Sequence, residues 1–149
     1  MTVEEAKAAA VEIWDIGLYG AVFMNGLTAE QVAAAANGIG PESWSPEARA
    51  KLDKWLSTFR LAAVVHDCRF TYDNDGTRPP FDAANNELEN NCLILANHHY
   101  AWYNPMRYLA RHAAHIVADA CRDFGWDDWR KAYQKSRSSS SDRASATSS

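Results

Sequence analysis

An all-α, compact single domain is predicted for this chain, and three observations carry the prediction. Helix-start signals recur: Thr2 with Glu5 and Thr28 with Gln31 at capping-box spacing, and Ser45-Pro46 and Asn104-Pro105 as cap-then-proline pairs. Between them run alanine-rich and apolar stretches, separated by glycine, proline and asparagine. Finally, 149 residues with 47% hydrophobic content suffice for one domain with a real core, and hardly for two.

The elements follow in order. The first capping box opens a helix through about Trp14. Residues 15–26, with Gly17, Gly20 and Gly26 among apolar neighbours, are expected to form an irregular packed connection. The second box opens an alanine-rich helix that stops at Asn37-Gly38, and a loop follows over residues 37–44, NGIGPESW. Ser45 and Pro46 start a helix running through KLDKWL, which either continues past Ser57-Thr58 or is restarted there by a Thr58 cap. DNDGTRPP, residues 73–80, is the clearest break, with a turn at Asn-Asp-Gly and two prolines that oppose helix. A long helix then runs from about Phe81 to Tyr100 or beyond. The next begins at Asn104-Pro105 and ends at Phe124-Gly125, where glycine suits a left-handed cap. A short helix, WDDWRKAY, closes the domain, and the Ser-rich residues 135–149 are expected to be a flexible tail. Several of the six tryptophans and six tyrosines lie between Tyr100 and Trp129 and are expected to supply much of the core.

Composition excludes some functions. A formal charge of −4 argues against a generally basic nucleic-acid surface. No apolar run approaches the ~20 residues needed to cross a bilayer. The N-terminus, MTVEEAKAAAVEIW, is acidic and helical and does not read as a secretory signal. Cys68, Cys92 and Cys121 are an odd, widely spaced set, better suited to buried thiols in a reducing compartment than to a disulfide framework.

The helices flanking DNDGTRPP place the chemistry. His66 lies about five residues before the first ends and Asn85 about four after the second begins, so both sit about 6–8 Å from the hairpin tip. The short connection favours antiparallel neighbours about 8–10 Å apart, so His66 and Asn85 could meet across the interface. Asp67 projects about 100° round the helix from His66. One helix thus aims an imidazole at one point and a carboxylate at another, a layout for a base beside a metal. The dipeptide alone more often means a core histidine beside a surface acid.

The surrounding pattern adds a resemblance. AAVVHDCRF (residues 62–70) resembles the catalytic helix of phospholipase A2-like proteins, especially small bacterial and phage-encoded ones, with Phe70 where the family commonly has tyrosine. FDAANNELENN (residues 81–91) resembles the partner helix, with Asn85 and Leu88 at the positions of its carboxylate or amide and its bulky apolar residue. NGIGP is similar to the glycine-rich calcium loop, and AHIVADACRDFGW looks like the terminal helix. With YAWYNP (residues 100–105), these elements also resemble those of uncharacterised phage proteins. The likeness spans roughly residues 37 to 126 and divides the chain into an N-terminal helical extension (1–36), a phospholipase A2-like core (37–134) and the tail (135–149).

The resemblance implies a calcium-dependent hydrolase of phospholipid esters, with His66 as general base on a water. Calcium would lie between the Asp67 carboxylate and backbone carbonyls around Asn37, Gly38 and Gly40. It implies a phospholipid membrane surface or a phage or host protein as partner, no nucleic acid, and a place in the host cytoplasm or the virion. The departure is Asn85, where secretory enzymes carry aspartate to orient the histidine. An amide can fix the tautomer but cannot stabilise an imidazolium by charge, and in serine proteases that change costs about 10⁴-fold. Asp82 and Glu89 are the nearby carboxylates on this helix placed to contribute in its stead. The rival reading is a catalytically inactive phospholipase-like scaffold, serving as a phage structural or host-interaction protein.

Other candidates carry less. His98-His99 and the i, i+3 pair His112 and His115 lack the further ligands zinc needs, and are read as packing or surface residues. Metal-dependent His-Asp phosphohydrolases need a histidine upstream, and His66 is the first in the chain. Cys68 and Cys121 are read as core, and Tyr100, Trp102 and Tyr103 as core or rim aromatics.

Overall fold

A computed structural model describes residues 1–36 and 46–147, apart from the side chains of residues 48, 51, 52, 144, 146 and 147. Among the described residues there are seven helices and no strand: α1 Val3–Ile16, α2 Ala21–Asn25, α3 Ala29–Ala35, α4 Pro46–Tyr72, α5 Arg78–His99, α6 Pro105–Phe124 and α7 Trp126–Thr147. None is long and apolar enough to cross a membrane.

Both capping boxes form, with Thr2 closing on Glu5 and Thr28 on Gln31. The connection expected to be irregular contains the short α2. Gly17 and Gly20, at φ 80° and 87°, turn the chain on either side of Leu18 and Tyr19. A Cβ on Gly20 would come within 2.8 Å of Val65 Cγ1, so glycine lets this turn lie directly on α4. The turn is also tied to α5: buried Asn91 accepts from Tyr19 N–H at 2.8 Å and donates to Tyr19 O at 2.9 Å. The Asn37-Gly38 stop, the Ser45 cap and the NGIGP loop lie outside the described residues.

α4 runs unbroken through Ser57-Thr58. The weak propensity cost of two hydroxyl residues is outweighed by burying Trp55, Phe59, Ala62 and Val65 along one helix. At the hairpin, Asn74 Oδ1 accepts from Gly76 N–H, and Asp75 Oδ1 accepts from Thr77 N–H and Oγ1–H. The two prolines do not hold helix off. α5 starts at Arg78, so Pro79 and Pro80 lie in its first turn, where a missing N–H costs nothing.

Trp55 meets Tyr100 at one end of the α4–α5 pair and His66 meets Asn85 near the other, so the two helices are antiparallel. α5 and α6 are antiparallel as well, because Arg111 reaches Asn97 while Arg122 reaches Glu89. α1 and α3 share the main core with these three helices through Ala6, Ala9, Ile13 and Val32. That core is built largely of alanine, valine and leucine rather than of the aromatics between Tyr100 and Trp129. Trp129 is fully buried, but Trp102 and Tyr103 are each 74% exposed. All three cysteines are free and buried, and burial pushes each thiol pKa up, that of Cys68 to about 12.

Two expectations at the C-terminal side are corrected. Gly125 has φ −87°, a right-handed value, so it does not reverse the chain into a left-handed cap. Its carbonyl instead accepts from Trp129 N–H, and Gly125 alone separates the end of α6 from the start of α7. α7 also continues past Tyr133 through the serines to Thr147. No glycine or proline follows Gly125, and the Ser138, Ser139, Ser140 and Ser145 hydroxyls each donate to the carbonyl four residues back.

Candidate functional site

α4 brings His66 and α5 brings Asn85 to one point, with His66 Nε2 and Asn85 Oδ1 2.9 Å apart. With Oδ1 accepting, Nε2 carries the imidazole proton and Nδ1 keeps the lone pair. His66 is 6% exposed and Asn85 fully buried. Phe70, one turn on, packs 5.0 Å from the imidazole, and Trp129 of α7 meets Phe70 edge-on at 4.8 Å. Phe81 and Trp126 complete this small aromatic cluster at the hairpin end. Arg78 lies over the Trp126 ring at 4.1 Å.

Removal from water lowers the His66 pKa from 6.5 to about 4, with the Asn85 hydrogen bond opposing the shift. The imidazole is therefore neutral at pH 7. The folded value lies below the unfolded one, so between pH 6.5 and 4 the unfolded chain binds a proton that the native chain excludes. This contribution to stability is complete above about pH 6.5 and is lost as the pH falls toward 4, by at most about 3 kcal/mol. Urea unfolding at pH 7 and pH 4.5 should show the loss, and His66→Gln should reduce it. An equal acid dependence in that variant would show that other groups cause it.

Asp67 is half-buried on the same helix, and its negative charge helps raise the Cys68 and Cys121 thiols. An oxygen donor so placed suits a hard cation such as calcium. The other expected ligands, Asn37, Gly38 and Gly40, lie outside the described residues. Among the described residues no group of three or more His, Cys, Asp or Glu side chains gathers to hold a metal.

Neither carboxylate considered as a stand-in serves His66. Asp82 is exposed. Glu89 turns to α6, where Arg122 donates to it at 3.0 Å and His115 Nδ1 lies 3.3 Å away. These partners hold the Glu89 carboxyl below its usual range, led by the Arg122 hydrogen bond. His98, His99 and His112 are exposed.

The sequence reading missed two polar devices beside the site. Arg69 donates to both Glu87 oxygens, at 3.1 and 3.0 Å, and to Asp73 at 2.9 Å, while its guanidinium lies 4.0 Å over the Phe23 ring. This fork clamps the α4–α5 hairpin one turn from His66. The i, i+4 spacing of Arg69 and Asp73 was a visible signal, whereas the Glu87 contact needs the hairpin register. The second is two buried donors that meet no acceptor among the described residues, Asn85 Nδ2 and Trp129 Nε1. Nothing local in the sequence marks it. Compared with known proteins, the chain matches no family model, no curated protein and no solved structure.

Proposed function

We propose that this protein is a phospholipase A2-like ester hydrolase in which His66 activates water. One observation carries the reading: a neutral, buried histidine fixed through Nε2 by Asn85 across an antiparallel helix pair. The Asn85 oxygen holds the proton on Nε2, which leaves Nδ1 to accept a proton from water as water attacks an ester carbonyl. Asp67, with carbonyls around Asn37, Gly38 and Gly40, would hold calcium, which when bound supplies positive charge for the carbonyl oxygen. The substrate class is a phospholipid ester at a membrane surface, acting in the host cytoplasm or the virion of a phage.

The competing reading is an inactive scaffold that binds a phage or host protein. The pKa of about 4 favours it, because so weak a base takes a proton from water reluctantly.

The test is fatty-acid release from mixed phospholipid vesicles, with calcium and with chelator, by the parent and by His66→Ala. Calcium-dependent release that falls about 10²-fold or more in the variant is the expected result. A folded parent that releases nothing under either condition defeats the hydrolase reading in favour of the scaffold.

A further inference from the structure

α7 presents a polar face to the hairpin loop. Arg130, Tyr133, Gln134, Arg137 and Ser138 follow the i, i+3, i+4, i+7, i+8 pattern of one helical stripe. Together with Gly76 they line an open cleft of about 470 Å³. Its floor depends on glycine: Gly76 has φ +78°, and a Cβ there would stand 2.5 Å from Tyr133 Cδ1, well inside van der Waals contact. The loop is anchored onto α7 as well, because Asn74 Nδ2 donates to Trp129 O at 2.7 Å.

The charges in the cleft are unbalanced. Arg130 and Arg137 make no ion pair with any described residue. Of the loop's own carboxylates, Asp73 pairs with Arg69, while Asp75, next to Gly76, accepts from Thr77 N–H and Oγ1–H and keeps its negative charge outside the cleft lining. Arg137 lies over the Tyr133 ring, 5.8 Å from its centroid, which favours a position above the cleft. The backbones of Arg130 and Arg137, two helical turns apart on one stripe, are separated by about 10 Å along the axis, a span that two long side chains can bridge around one ligand. Gln134 stands between them on the stripe and lines the same cleft.

We infer that this cleft binds a phosphate group, held between Arg130 and Arg137 with Gln134 as a further donor. Guanidinium forks match phosphate oxygens in pairs, and a tetrahedral anion accepts donors from several sides at once. The cleft leaves room beyond the phosphate for the organic part of a phosphoester. Free phosphate compounds and a phospholipid headgroup present the same chemistry. The inference does not depend on catalysis at His66, which lies on α4 outside the cleft lining.

The test uses the full chain and Arg130→Gln/Arg137→Gln, both substitutions being at exposed positions, with circular dichroism confirming equal helix content. Inorganic phosphate is titrated calorimetrically. Co-sedimentation is measured with vesicles of phosphatidylglycerol and phosphatidylcholine, and with phosphatidylcholine alone. Binding of inorganic phosphate that weakens about tenfold or more in the double variant supports a site for free phosphate compounds. Binding only to the phosphatidylglycerol vesicles, weakened to the same degree, supports a headgroup site. Binding of neither probe, or equal binding by parent and variant, overturns the inference.

Discussion

Asn85→Asp is expected to raise the His66 pKa from about 4 to above 6.5, read from the imidazole proton shifts across a pH titration. A carboxylate 2.9 Å from Nε2 favours the protonated ring by charge, which the amide cannot do. The change also removes Asn85 Nδ2, a buried donor with no acceptor among the described residues. Burying an ion pair is costly, but here each charge would face its counterpart directly. The acid dependence of stability should change with it: a ring that is protonated in the native state near pH 6 no longer resists protonation there. If the proposed hydrolysis operates, release at neutral pH should rise by about 10²- to 10⁴-fold, the reverse of the loss seen when such a carboxylate is removed. An imidazole still titrating near 4 would show that burial alone governs it. A normalised pKa with no gain in release would count against catalysis while leaving the geometry intact.

Trp129→Ala is expected to cost about 3–5 kcal/mol of stability, as large-to-small changes do at fully buried aromatics. The indole meets Phe70 at 4.8 Å and Phe81 at 5.7 Å, both edge-on, and its backbone carbonyl receives Asn74. Removing it opens a void next to the ring that covers His66. Water entering that void should move the His66 pKa back toward 6.5 even though no residue touching the imidazole has changed. Urea denaturation and the imidazole titration, measured on the same variant, read the two effects. A loss below about 1 kcal/mol would mean that the aromatic cluster is not what holds α7 in place.

The His66–Asn85 contact was legible because it depends on few things: two positions counted from one hairpin tip, a helical rise and a packing distance. Capping boxes were legible for the same reason, since Thr2 and Glu5, or Thr28 and Gln31, fix their partners within one turn. What the sequence hid was set by distant contacts or by small energy balances. Asn91 and Tyr19 are 72 residues apart, and neither carries a local sign of the other. The exposure of Trp102 and Tyr103 follows from where α5 and α6 meet, which composition does not encode. The serine run of α7 reads as coil by propensity, yet no glycine or proline interrupts it, and the helix continues with the serine hydroxyls turned back onto its own carbonyls. Asp82 and Glu89 were plausible helpers by spacing alone, and the side each faces decided against both.

The aromatic wall beside His66 has a consequence in time. Trp129 follows Asn85 by 44 residues, so at about 5–20 residues per second a ribosome makes the histidine and its amide partner roughly 2–9 s before the indole that closes over them. During that interval the α4–α5 hairpin can form from local contacts while its imidazole still meets water and titrates near its ordinary value. Docking of α7 then brings Trp129 against Phe70, the ring packed on the imidazole. The unusual acidity of His66 is therefore a property of the finished chain, acquired late, and it distinguishes a completed molecule from a nascent one that has the same two residues already in contact.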